Sequence, residues 1–354
     1  MNGTQRWKKR PEGSNWGDFG PDDQLGRLNL LTAERVRQAA REIQTGRSFC
    51  LSLPLDFPGG TAINATRKPP QLMPVMDGAR AHFNFPYSLN NPCHIDVLND
   101  DVVLLTLQYS TQWDSLSHIG QAFDADADGV AELVYYNGFR AGEHITGPLE
   151  YRADGAAVAT GQPTRAGALG VELMAESCMQ GRGVMIDLKA HYGEKRAMVG
   201  YDALMRILEA DRVEVEEGDL VCLRTGFDEM LLGMNRQPDA ARLRSCFAGL
   251  DGRDEKLHRW IDDTGLVALI ADNIAVESTP ARSCDDGQDA TRCAALPLHE
   301  LCLFKLGVYL GEFWRLSPLA DWLRAQGRSR FMLTAPPLRL PGAVGSPVTP
   351  VATV

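Results

Sequence analysis

The chain contains no run approaching the roughly 18 apolar residues that a membrane-spanning helix needs, and no apolar stretch follows its basic opening, Met1 to Arg10, as it would in a secretory signal. It also lacks a surplus of positive charge: 36 Lys and Arg stand against 46 Asp and Glu, for a net charge of −10. Nucleic acids and anionic membranes are recognised by concentrated cations, so neither is an expected partner. There is no C-x-x-C pair, and eight cysteines scattered through 354 residues do not make a disulfide scaffold. Reduced thiols in a cytoplasmic protein are therefore expected, and the even spacing of Cys284, Cys293 and Cys302 matches no zinc knuckle. Missing too are the G-x-S-x-G elbow, the H-E-x-x-H zinc helix, the P-loop and the Rossmann glycine fingerprint, so several common enzyme classes lose their sequence support.

What is present is a chain with 44% hydrophobic residues, enough for one large domain or two. The first thirty residues, rich in Gly, Asp, Asn and Pro, predict an irregular arm over 1–30, with the catalytic domain over 31–354. Thr32 is placed to cap a helix that runs to Gly46, and a strand follows over Ser48 to Leu53. Residues 56–100 carry many Pro, Gly and Asn among aromatics and read as a long structured excursion. Beyond them, apolar runs at 183–188, 219–224, 266–271 and 330–334 read as buried strands. Helical spacing appears at 201–210, 254–263, 298–306 and 316–326. This alternation predicts an α/β fold with a central mixed sheet. Phe123 to Gly129 resembles the start of an EF-hand loop, but its twelfth position is Tyr135 instead of Glu, which leaves a solvated acidic turn.

The densest group of reactive side chains is Gln108-Tyr-Ser-Thr-Gln-Trp-Asp-Ser-Leu-Ser-His118, set after the apolar run Val102 to Leu107, which reads as a buried strand. If Gln112 to His118 begins a helix, Asp114 and His118 share one face, and the carboxylate orients the ring as it would in an assisted general base. Far downstream, His299 and Glu312 are the other candidates; an isolated carboxylate among Leu310, Gly311, Phe313 and Trp314 is costly to bury unless paired. Asp272, Asn273 and Glu277 form a further polar group at a strand end, either lining a pocket or satisfying backbone groups.

The central stretch resembles the pattern His-x-Gly-Thr-His-x-Asp-x-Pro-x-His of the "putative cyclase" family, which includes arylformamidases and isatin hydrolases. Thr111, Asp114 and His118 fit that pattern, whereas Gln108, Ser110, Gln112 and Leu116 depart from it. Trp16 to Asn29, Tyr136-Asn-Gly138, Arg224-Thr-Gly226, Asp272-Asn273, His299 and Gly311 to Trp314 resemble segments of longer members. The resemblance implies a swivelling β/β/α architecture in a single domain, a homodimer or homotetramer, and a small-molecule substrate. It also implies a divalent metal on the first two histidines and the aspartate of the motif, two of which are glutamine here.

A glutamine carbonyl is a hard ligand, better suited to Mn²⁺ than to Zn²⁺. Two arrangements stay open. In one, Asp114, His118, His299 and Glu312 hold a divalent metal; in the other there is none, His118 with Asp114 activates water, and Gln108 and Gln112 donate to the substrate carbonyl. The expected catalytic residues are thus His118, Asp114, Gln112 and Thr111, with Gln108, Trp113, Tyr136 and Asn137 on the substrate side. The expected activity is hydrolysis of a cyclic amide, aryl formamide or lactone. The alternatives are a metal-free cyclase, dehydratase or isomerase acting on an aromatic or polyketide-like intermediate, and a non-catalytic small-molecule binder.

Overall fold

Nine strands build the central sheet: β1 (Ser48–Cys50), β2 (Gln112–Asp114), β3 (Gln180–Asp187), β4 (Leu220–Arg224), β5 (Ala268–Ala271), β6 (Tyr309–Glu312), β7 (Arg330–Thr334), β8 (Gly345–Pro347) and β9 (Val351–Thr353). The structure, a computed structural model, describes residues 5–152, 155–284 and 293–354; the first four residues of the expected arm lie outside it. Strands run in the order β1-β9-β7-β3-β4-β5-β6-β2-β8. The middle four, β3 to β6, are parallel, and antiparallel strands flank them on both sides. Their composition explains this placement: every residue of β4, β5 and β6 is buried, as continuous apolar runs are when helices cover both faces of a sheet. The α/β class with a central mixed sheet, expected from the alternation of runs, is the observed one, in a single domain.

Helices connect the parallel strands. α1 (Ala33–Ala40) begins where expected, with the Thr32 hydroxyl accepting from Arg35 N, but stops well short of Gly46. α2 (Tyr201–Asp211) joins β3 to β4, and α3 (Glu255–Thr264), capped by the Asp254 carboxylate, joins β4 to β5. Between β5 and β6 comes α4 (Pro297–His299), which continues as a π-helix over Glu300–Leu306. α5 (Ser317–Ala325) follows β6. Among the described residues no helix is long and apolar enough to cross a membrane.

Two expectations fail. The run Val102 to Leu107 is not a buried strand: Asp101–Leu104, exposed at all four residues, pairs with Gln71–Pro74 in a two-stranded ribbon. Apolar composition is shared by buried strands and by such ribbons, so periodicity could not separate them. Cys284 and Cys293 are also not free thiols but a disulfide, their Cα atoms 6.5 Å apart, within the bridging range. The other six cysteines are free. In the acidic turn, the Asp124 carboxylate accepts from the backbone N–H groups of Asp128 and Gly129.

Candidate active site

The antiparallel pair β2 and β6 sets the geometry. Side chains alternate across a strand, so Gln112 and Asp114 emerge on one face of β2, and Glu312 of β6 stands opposite Gln112 in register. Gln112 is therefore a strand residue and not the start of a helix. Its amide nitrogen donates to Glu312 Oε2 at 2.9 Å and to Asp114 Oδ1 at 3.3 Å, bridging two buried carboxylates. His118 reaches the same point by a tight turn, with its N–H on the Ser115 carbonyl, and its Nε2 lies 3.7 Å from Asp114 Oδ1.

His299 enters from the opposite side, on α4. Pro297 starts that turn, a position where its missing N–H costs nothing. The Glu277 carboxylate then accepts from the backbone N–H of Leu298 and of His299, and sits 2.9 Å from His299 Nδ1. Nε2 of the same ring is 3.2 Å from Glu312 Oε1. One imidazole thus spans two buried carboxylates.

Electrostatics follow from the geometry. Burial pushes Glu312 up to about 7, reinforced by the charge of Asp114 and opposed by His299. For His299 burial favours the neutral ring, but hydrogen bonds to Glu277 and Glu312 and the charge of Asp114 outweigh it and raise the pKa to about 10. His118 moves the other way: burial lowers it, Asp114 opposes, and the positive charges of His299 and Arg67 add to the lowering. His118 is therefore a free base at neutral pH, while His299 is an imidazolium.

Asp114 Oδ2 and Gln112 Oε1 are buried acceptors with no hydrogen-bond donor among the described residues. Orphaned acceptors of this kind are uncommon in native structures and call for an explanation. Asp114, His299 and Glu312 each offer a ligand atom within 4.8 Å of the others, and two carboxylates with one imidazole make a hard oxygen and nitrogen donor set suited to a divalent cation such as Mn²⁺. The residues fit such an ion: these three would hold it, with the orphaned Gln112 carbonyl as a further oxygen. Glu277 would serve as the carboxylate that fixes the His299 ring.

Not every residue singled out in the sequence comes to this cluster. Thr111 is committed to scaffold, accepting from Leu53 N and donating to the Phe313 carbonyl at 2.6 Å. Trp113 points to the other face of β2, fully buried, with its indole N–H on the Ala335 carbonyl and its ring edge-on to Trp314. Tyr136 is buried in the main core, and Asn137, with a φ of 55°, ties down the N-terminal segment through Gly17, Gly20 and Asp23. Trp113, Tyr136 and Asn137 are thus not brought to the cluster: single residues in a pattern do not reveal which face they take. Gln108 is half-buried, its amide set over Gly345, where any Cβ would collide with it. Gly345 pairs with Asp114 across β8 and β2, which keeps Gln108 beside the cluster. The sequence reading gave Glu277 no role in the cluster and did not single out Arg67. Neither has a local pattern, since Glu277 is 22 residues from its histidine and Arg67 is one of three cations, with Lys68 and Arg80, in the Pro-rich excursion.

Comparison with known proteins follows the same lines. Residues 51–278 match the family model described as "Putative cyclase". The crystal structure of a novel cyclase superposes with a TM-score of 0.71 at 31% identity, covering 96% of this chain and 97% of that one. Isatin hydrolase A from Labrenzia aggregata, solved with benzyl benzoate, gives 0.52 at 16% identity over 92% and 98% of the two chains. Isatin hydrolase A from Ralstonia solanacearum gives 0.53 at 16% over 91% and 97%. At that identity the two hydrolases share the fold alone. No curated protein matches the sequence.

Proposed function

Because this chain belongs to the cyclase family, we propose that it is a hydrolase that adds water to the carbonyl of a cyclic amide, an aryl formamide or a lactone. One observation carries the proposal: an imidazole held neutral by burial, His118, stands 3.7 Å from a fully buried carboxylate whose second oxygen has no partner. That spacing is too long for a direct hydrogen bond, so Nε2 is not committed to Asp114 and is left to receive a proton from a water held beside the pair. His118 takes a proton from that water as its oxygen bonds to the carbonyl carbon. The same proton then passes to the leaving nitrogen or oxygen as the scissile bond breaks, which is the two-way role a ring of near-neutral pKa can fill.

Glu312 and His299 act behind this pair. Held near neutrality, Glu312 avoids placing a second full charge beside Asp114, and the His299 imidazolium offsets the carboxylates around it. Gln112 spends its amide N–H groups on those carboxylates, so donation to the substrate carbonyl falls to Gln108. A divalent cation bound by Asp114, Glu312 and a deprotonated His299 would take the place of that imidazolium's charge and would acidify the attacking water.

The test is turnover of formanilide, N-formylkynurenine, isatin and simple lactones, with metal content measured by plasma mass spectrometry before and after chelation. Turnover of at least one substrate, lost by about 10²- to 10⁴-fold in His118→Ala, is the expected result. Inertness towards the whole panel, together with ligand-induced thermal stabilisation, would move the protein to a binding role.

A further inference from the structure

A cleft is lined by Pro58, Ile63, Tyr109, Ile274 and Phe313, the residue that follows Glu312 in the chain, and by one cation, Arg67. Its walls are mostly apolar, so a charged group there is specific information about the occupant. Arg67 is held in place: its backbone N–H closes a turn on the Asn64 carbonyl, and Nη1 donates to the Gln108 carbonyl at 2.9 Å. The neighbouring wall is equally fixed, since the Tyr109 hydroxyl accepts from Gly59 N and donates to the Gly60 carbonyl. A guanidinium has five N–H donors, and among the described residues only one of them meets an acceptor. Among the described residues no carboxylate pairs with Arg67, although the chain carries 46 acidic residues. Its charge nonetheless reaches both His118 and Glu312.

We propose that Arg67 is the anion-recognition residue of this cleft, and that the substrate is a carboxylate-bearing aryl or alkyl compound. Its acid group pairs with the guanidinium while its scissile carbonyl lies at His118 and Asp114. A planar fork with free donors matches a carboxylate in two parallel hydrogen bonds, and the apolar walls take the carbon skeleton. Gln108 links the two ends of the site, because its carbonyl steadies Arg67 while its side chain lies beside the Asp114 strand. This inference rests on the hydrolase reading for its chemistry but not for its binding site.

The experiment compares formanilide with 2-, 3- and 4-formamidobenzoate on wild type, Arg67→Met and Arg67→Lys. Calorimetric titration of each protein with the same four compounds separates binding from turnover. At least one of the acids is expected to exceed formanilide in kcat/KM by about 10- to 100-fold, the range for a hydrogen-bonded charge pair. In Arg67→Met that ratio should collapse towards one, and Arg67→Lys should recover only part of it, since a point charge lacks the fork. A wild type with no preference for any acid, or a preference that survives Arg67→Met, overturns the proposal. If no compound is turned over, the hydrolase reading fails and titration decides alone: tighter binding of an acid than of formanilide, lost in Arg67→Met, upholds the anion site, and equal binding overturns it.

Discussion

Arg224, at the end of β4, pairs with Asp187 at 3.1 Å, Glu229 at 3.1 Å and Asp321 at 2.9 Å, and donates to the Ser317 hydroxyl. Close by, the Asp272 carboxylate accepts from Thr225 N, Thr225 Oγ1 and Gly226 N, and Asp228 accepts from both the N–H and the hydroxyl of Ser317. Across β5, the group formed by Asp114, Gln112, Glu312, His299 and Glu277 is buried just as deeply. Yet it carries two orphaned acceptors and a carboxylate raised to about 7. Both clusters meet the cost of burying charge, but only the first is closed by its own hydrogen bonds. Burial, with the charge of Asp228, also raises Asp272, so a perturbed acid does not distinguish them; unpartnered atoms do. A closed network fixes the loops at strand ends, whereas an open one has capacity left for water, substrate or a cation.

The comparison breaks most visibly through function. Asp114→Asn and His118→Ala should each lower kcat by about 10²- to 10⁴-fold on whichever substrate is turned over. Asp114→Asn should leave the thermal midpoint unchanged or raise it, because it removes a charge repelling Glu312. A midpoint that falls along with activity would place Asp114 in the closed, structural class.

In the other cluster the expectation reverses. Arg224→Ala leaves the buried Asp187 carboxylate with Arg324 as its cation and should cost about 1.5–3 kcal/mol by denaturant unfolding. Its kcat should change far less than its stability, provided the assay is run where the protein is folded.

Stability against pH gives a smaller and more diagnostic signal. Glu312 is raised above its unfolded value, so its stabilising contribution is complete below about pH 4.5 and is lost as pH rises through about 7. His299, also raised, holds its contribution below about pH 6.5 and loses it towards about 10. Glu312→Gln should therefore flatten the stability curve between pH 4.5 and 7, by an amount on the order of 1–3 kcal/mol. An unaltered curve would mean that Glu312 shares its proton differently from the arrangement described.

How much of this could be read beforehand depends on the range over which each residue acts. The α/β class and four buried strands were legible because apolar runs are local. Asp114, His118, His299 and Glu312 were legible as chemical types, but their meeting was not: it depends on β6 pairing antiparallel with β2, a contact about two hundred residues long in sequence. Gln112 to His118 looked helical because the spacing of Asp114 and His118 suits a helix turn, whereas the structure reaches the same proximity by a strand and a tight turn. Trp113 packs in the core, a placement with no local signature, since alternation along a three-residue strand decides its face. Glu277 and Arg67 had no local signature; only the fold brings them to His299 and to the cleft.

Thr111 offers the finest test of the distinction, because the motif places it among the catalytic residues and the geometry gives it to the scaffold. Its hydroxyl accepts from Leu53 N and donates to the Phe313 carbonyl, joining the chain before β2 to the segments after β1 and β6. Thr111→Val keeps the shape and removes both bonds, leaving a buried N–H and a buried carbonyl unpaired. The expected loss is about 1–3 kcal/mol of stability, with kcat nearly unchanged and any effect confined to KM, since Phe313 lines the cleft beside Arg67. Thr111→Ser, which restores the hydroxyl, should recover most of the stability. If kcat instead falls as far as it does in His118→Ala while the midpoint holds, the hydroxyl touches the reacting atoms, and the boundary between the open cluster and its scaffold must be redrawn to include it.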